Sequence, residues 1–255
     1  MNKNSNTYQI LYAAVMVLLV GTVLAFIYMA LKPKQNENIA NDTRKQILSA
    51  LHIAAPADDQ VKDTYEKYII QDLLVDAQGN IVDSTANVAF DVDMKKNVKL
   101  AERQLPVMKC TMDDGSVKYV LPVYGAGLWG PIWGYVAVND DGNTIYGANF
   151  SHEGETPGLG ARIAEQPFQD EFRDKHLFVG GEFKSVAVLK KGQKATNGAE
   201  QIDALTGATI TSRGVSDMMA DCLAPYEAFL KRLQGAGVAH EPATAQEVTN
   251  VNQPE

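Results

Sequence analysis

The sequence predicts an α+β protein with a single N-terminal transmembrane helix, a helical neck, and an antiparallel-sheet domain closed by a C-terminal helix. Three observations carry that prediction. An uncharged apolar run fills residues 8–31, apolar side chains then recur at helical spacing, and from about residue 78 turn clusters alternate with β-rich runs. The chain divides accordingly into an N-terminal tail (1–7), a transmembrane helix (8–31), a linker and helical neck (32–77), the sheet domain (78–235) and a disordered tail (236–255).

The apolar run reads YQILYAAVMVLLVGTVLAFIYMAL. As a helix it extends about 36 Å, more than the roughly 30 Å of a bilayer's hydrocarbon core. A cleavable signal peptide has a shorter apolar stretch and ends in small residues; this run ends Tyr28-Met29-Ala30-Leu31-Lys32, so it reads as an uncleaved anchor. Tyr8, Tyr12 and Tyr28 stand near its ends, where amphipathic rings favour the interface. Lys3 lies on one side and Lys32 and Lys34 on the other, which by the charge rule alone puts the C-terminal part in the cytoplasm.

After a polar linker over 32–37, Ile39, Ile47, Leu48 and Leu51 mark a first helix ending before Pro56. A second begins near Asp58 and Asp59 and carries Val61, Tyr65, Tyr68 and Ile69. Gly79-Asn80, Asp113-Asp114-Gly115 and Asp140-Asp141-Gly142-Asn143 are turn clusters, flanked by runs such as 116–123 and 132–138 that read as antiparallel hairpins. A short helix over 165–175 and a strand over 185–189 follow. The last helix spans about 212–233, with Val215, Met218, Met219, Cys222, Leu223, Tyr226 and Leu230 on its apolar face and Pro225 as a kink point.

Composition narrows the function. The 255 residues are 45% hydrophobic, enough to bury a core, and the net charge of −8 comes without a basic block, which argues against nucleic acid. Two cysteines, Cys110 and Cys222, are too few for a disulfide scaffold or an iron–sulfur cluster and read as free thiols. The four histidines lack metal-ligand spacing, and no catalytic metal site or nucleophile signature is present.

Three segments rich in glycine stand out instead. Asp203-Ala-Leu-Thr206-Gly207-Ala208-Thr209-Ile-Thr211-Ser212 precedes the last helix, where free N–H groups and the helix dipole favour an anion. The same string also reads as a plain N-cap. Gly125-Ala126-Gly127-Leu128-Trp129-Gly130-Pro131-Ile132-Trp133-Gly134 reads either as core filling at a tight corner or as one wall of a planar-ligand pocket. His152-Glu153-Gly154-Glu155-Thr156-Pro157-Gly158-Leu159-Gly160 is by itself only a turn.

The string Asp203-x-x-Thr206-Gly207-Ala208-Thr209 resembles the flavinylation motif of the FMN-binding domain family, and Glu-Thr-Pro-Gly-Leu-Gly recurs in that family ahead of it. In their order and spacing the motifs resemble the C-subunit family of sodium-translocating NADH:quinone reductases, over nearly the whole chain except the tail. The resemblance implies FMN joined through its phosphate to Thr209, with Asp203, Thr206, Gly207, Ala208 and Thr211 around the attachment point. Thr211 is the alternative acceptor, although its place suits an N-cap better. Asp203 is expected to serve attachment. Gly127, Leu128, Trp129 and Gly130, with Thr156, Gly158, Leu159 and Gly160, are expected to line the ring. The implied partners are the other subunits of the membrane reductase complex and, during maturation, a flavin transferase. The implied location is the bacterial inner membrane, single-pass, with the soluble domain on the periplasmic side, against the lysine count. Thr206 replaces the commoner Ser, and an extra Gly154 interrupts the His-containing loop, so no role is carried over to His152. Two other readings stay open: the equivalent FMN subunit of an ion-translocating ferredoxin:NAD oxidoreductase, and a membrane-tethered binding module that uses the threonines only as a cap.

Overall fold

An apolar run needs internal backbone hydrogen bonds wherever water is absent, and a helix supplies them. In the computed structural model, which describes residues 6–54 and 56–238, the run belongs to one continuous helix, α1 (Asn6–Ala50). It is the one helix among the described residues long and apolar enough to cross a membrane. The linker expected over 32–37 is therefore helical, and Pro33 lies inside α1. Proline forfeits one ladder bond there and does not end the helix, because the charged and amide-bearing residues around it continue the helical run on an exposed surface.

The helix α2 (Val61–Tyr68) follows, and the chain then enters strand β1 (Ile69–Val75). Ile69, expected at the end of the helical stripe, instead pairs with Cys110, so the sheet starts before residue 78. β2 (Ile81–Asp83), β3 (Leu105–Thr111), β4 (Val117–Ala126), β5 (Pro131–Asn139) and β6 (Ile145–His152) complete an antiparallel six-stranded sheet in the order β2-β1-β3-β4-β5-β6. A one-turn helix, α3 (Met94–Asn97), connects β2 to β3. The three turn clusters sit at the hairpins as expected. Asp76, Asp114 and Asp141 each accept backbone N–H groups from the turn that they begin or enter.

Side chains alternate across a strand, and here both faces of the sheet are covered. One face carries Leu73, Val107, Leu121, Val123, Val136 and Phe150 into a core completed by Val215, Met219, Leu223 and Tyr226. The other carries Met108, Cys110, Val120 and Ala137 against Ile47, Leu48 and Leu51 of α1 and its C-terminal turn, and Tyr65 and Tyr68 of α2. The end of α1 thus packs into the domain's core. Cys110 and Cys222 are free, buried thiols on opposite faces.

Beyond β6 a 3₁₀ turn (Gly160–Ala164) leads to α4 (Gln166–Gln169) and a second 3₁₀ turn (Asp170–Phe172), where one helix over 165–175 was expected. Two small strand pairs follow. β7 (Phe178–Val179) and β8 (Glu182–Phe183) are antiparallel, while β9 (Val186–Leu189) and β10 (Glu200–Asp203) form a parallel pair that the sequence did not announce. The final helical region begins earlier than expected, as α5 (Thr209–Leu223), and Pro225 divides it. A 3₁₀ turn (Ala224–Tyr226) separates α5 from α6 (Glu227–Val238), so the helix runs past residue 235. The rest of the tail expected to be disordered, from 239 on, lies outside the described residues.

Candidate functional site

α5 is positioned by close approach to β4. A Cβ on Gly125 would sit 2.8 Å from Met218 Cβ, and one on Gly214 would collide with the Ala126 carbonyl. Cys222 adds two contacts to the same strand: its Sγ donates to the Tyr124 carbonyl at 3.3 Å and accepts the Tyr124 N–H at 3.4 Å. Burial pushes this thiol's pKa up, which keeps it a protonated donor. The N-terminus of α5 is thereby held at the end of the β4–β5 hairpin, whose turn is Gly127 to Gly130.

Glu155 connects that turn to the helix. It is only 4% exposed, accepting the Trp129 N–H at 2.9 Å on Oε1 and the Thr211 hydroxyl at 2.5 Å on Oε2. A Cβ on Gly127 would collide with Oε1, and one on Gly160 with Oε2, the latter also reaching within 2.7 Å of Thr211 Oγ1. Gly207, in the left-handed region at φ +79°, leaves room for Leu159: a Cβ there would be 2.9 Å from Leu159 Cδ2. The three glycine-rich segments, distant in sequence, therefore meet at one place.

The threonines divide by role. Thr209 is the first residue of α5 and is exposed, while Thr211 is 1% exposed and its hydroxyl is committed to Glu155. The expectation that Thr211 is an N-cap does not hold. The N-cap is Ala208, which has no side-chain acceptor, and Ser212 Oγ instead accepts the Leu205 N–H at 3.1 Å. The first amides of α5 thus keep their anion-binding character, because no side chain at the N-cap occupies them.

Thr206 and Thr156 are exposed. The Thr156 carbonyl accepts the Leu159 and Ala161 N–H groups, both at 3.1 Å, closing the turn that contains Gly158 at φ +74°. Gly130 borders Glu153 and Gly154. Leu128, Leu159 and Ile210 are exposed, and Trp129 is 68% exposed, so apolar side chains from all three segments face solvent there. Asp203 is exposed at the end of β10, its N–H donating to Glu171 at 3.2 Å, and among the described residues no hydrogen bond ties its carboxylate to the three segments. His152 accepts the Glu155 N–H at 3.2 Å on Nδ1, a structural contact. A depression of about 680 Å³ elsewhere, lined by residues such as Arg103, Phe183 and Asp221, contains none of these groups.

Two residues carry weight here that the sequence did not assign. Ile210 follows Thr209 and stood in the sequence only as an unassigned letter of the string before the last helix. Glu155 was visible only as a letter of a motif, one of two acids on either side of Gly154.

The FMN-binding domain family matches residues 127–224, a span that contains the hairpin turn, Glu155, the Thr156–Gly160 loop and the start of α5. The C subunit of the Na(+)-translocating NADH-quinone reductase of Haemophilus ducreyi is 31% identical, over 92% of this chain and 98% of its own. The chain belongs to this C-subunit family. A solved C subunit from Parabacteroides distasonis is 43% identical, with a TM-score of 0.72 over 78% of this chain and 96% of that one. Shewanella oneidensis NqrC gives 29% identity and a TM-score of 0.64 over 77% of this chain and 98% of that one. The antiparallel-sheet domain is accordingly the fold of the NqrC family, attached here to a long apolar N-terminal helix.

Proposed function

We propose that this chain is the electron-carrier subunit of a membrane sodium-pumping NADH:quinone oxidoreductase, inactive alone, and that it holds FMN covalently through a phosphoester to Thr209. The observation that carries the attachment is the contrast between the two threonines. Thr209 offers a solvent-facing hydroxyl at an uncapped helix N-terminus, and the Thr211 hydroxyl is buried against Glu155. The residues fit the group. Uncapped α5 amides suit a phosphodiester's remaining charge, Gly207 lets a ligand approach the backbone, and Leu128, Trp129 and Leu159 offer apolar contact to a flat ring. FMN supplies a one- or two-electron carrier, and the chain's part is to fix its position and keep one edge accessible. Thr156, Gly127, Gly130, Gly158 and Gly160 contribute polar or close backbone approach to the ring, Thr206 and Ala208 complete the attachment loop, and Asp203 serves the transferase step.

The partners in this reading are the other subunits of the reductase complex and a flavin transferase, and α1 anchors the domain to the outer, periplasmic side of the bacterial inner membrane. The NqrC relatives favour this assignment over the ferredoxin:NAD counterpart, whose flavin linkage would be the same. The test is co-expression of Thr209→Val and Thr211→Val with the transferase, read as flavin fluorescence of the denatured band and as intact mass. Loss of flavin in Thr209→Val alone is expected. A covalent flavin on Thr209→Val refutes the attachment site, and no covalent flavin on the unaltered, transferase-treated chain refutes the reading as a whole.

A further inference from the structure

A buried carboxylate is costly unless its oxygens are satisfied, and proteins commonly place a cation beside it. Glu155 is satisfied differently. Among the described residues no lysine, arginine or histidine forms an ion pair with it. Its two oxygens take one donor each, from two separate segments: the hairpin turn through Trp129 N–H, and α5 through Thr211 Oγ1. Its own N–H is bound to His152, so the residue is fixed at its backbone as well. Gly127 and Gly160 supply the room for both oxygens.

Residues two apart on an α-helix point about 200° apart. Holding Thr211 inward on Glu155 therefore turns Thr209 outward. The same carboxylate holds the backbone at Trp129, whose ring is exposed, and begins the loop that carries Thr156 and Leu159. The exposed apolar side chains of the site are weakly held by packing, so the hydrogen bonds at their base decide how they stand relative to one another.

We propose that Glu155 is the positioning residue of the flavin site: by bridging Trp129 and Thr211 it sets the ring-lining loops and the Thr209 hydroxyl in one frame, so that the ring is held still after attachment. This rests on the FMN reading above. Glu155 does not take part in forming the phosphoester, so attachment and ring order separate experimentally.

The experiment uses the full-length, detergent-solubilised chain co-expressed with the flavin transferase, as wild type, Glu155→Ala, Glu155→Gln and Thr211→Val. Flavin loading is read by intact mass, ring mobility by flavin fluorescence anisotropy, and redox behaviour by spectroelectrochemical titration. Glu155→Ala and Thr211→Val should both retain covalent FMN, with anisotropy lowered and the midpoint potential displaced toward that of free FMN. Glu155→Gln should restore both, since its amide oxygen still accepts the Trp129 N–H and its NH₂ can donate to Thr211 Oγ1. Wild-type anisotropy and potential in the Ala and Val variants overturn the proposal, as does a folded Gln variant indistinguishable from Ala. If Glu155→Ala fails to fold, Thr211→Val decides, because it removes the same bridge from the other end. A wild-type chain without covalent flavin refutes the FMN reading instead.

Discussion

Gly160→Ala tests the packing around the Glu155 bridge without touching any charged or hydroxyl group. The added methyl would land on Glu155 Oε2 and within 2.7 Å of Thr211 Oγ1, so the hydrogen-bonded pair must separate. Breaking a hydrogen bond to a buried acceptor costs about 1–3 kcal/mol, and forcing a methyl into a filled site costs about 1–3 kcal/mol more. Gly160 does not have a positive φ, so alanine recovers about 0.4–1 kcal/mol through the unfolded chain. The net loss is about 3 kcal/mol, which lowers Tm by about 6–12 °C in a domain of this size. Gly154→Ala, six positions earlier, is the matched control: its Cβ would meet nothing within 4 Å, and its Tm should change by no more than about 1 °C. The assay is thermal unfolding followed by circular dichroism on the two full-length variants. A Gly160→Ala melting point within about 2 °C of wild type would show that Glu155 and Thr211 are loosely held, and the reasoning would fail.

Other outcomes follow from the same geometry. Leu159→Ala and Trp129→Ala, both altering exposed side chains, should leave Tm nearly unchanged while shifting the flavin absorption and potential; unaltered spectra in both would place the ring elsewhere. Asp72 is 9% exposed, one oxygen accepting the Asn87 N–H at 2.9 Å and the other without a partner among the described residues, and burial raises its pKa, with the nearby Asp91 adding to the effect. Folding then favours the protonated acid, so this group's destabilising contribution is absent below the ordinary carboxylate value and grows as pH rises through the folded value. Asp72→Asn should therefore melt higher than wild type at pH 7, with the difference shrinking toward about pH 3.5; a pH-independent difference in the paired melts would contradict this.

The hairpins were legible because their turns are encoded locally: an aspartate whose carboxylate takes the turn's own N–H groups needs nothing from elsewhere in the chain. The convergence of the glycine-rich segments was legible only through resemblance, since spacing does not reveal which loops meet. The segment 32–37 misled because its polar side chains read as a linker, whereas on an exposed helix they, and the missing hydrogen bond of Pro33, are tolerated. Ile69 fitted a helical stripe, but the demand of β3 for a partner strand took precedence. The parallel β9–β10 pair was hidden because Glu-Gln-Ile-Asp contains one apolar residue. Glu155 was hidden for a deeper reason. An acid between glycine and threonine looks solvated, and its burial depends on Trp129 and Thr211, which lie 26 residues before it and 56 after it.

The unbroken α1 has a mechanical consequence. Its last turn is embedded in the sheet's core through Ile47 and Leu48, and no coil separates that turn from the apolar run. From Leu31 to Ile47 the helix rises about 24 Å, so with α1 as the proposed membrane anchor the domain would stand on a stiff mast at a set height above the bilayer surface. A tether of flexible coil would let the redox centre roam and meet its partners by chance. A mast instead confines it to the arc allowed by tilting, with Pro33, at the foot, as the one point where a missing rung in the hydrogen-bond ladder eases bending. On that proposal donor and acceptor would both lie on that arc, and electron delivery would become a matter of small rotations between fixed stations.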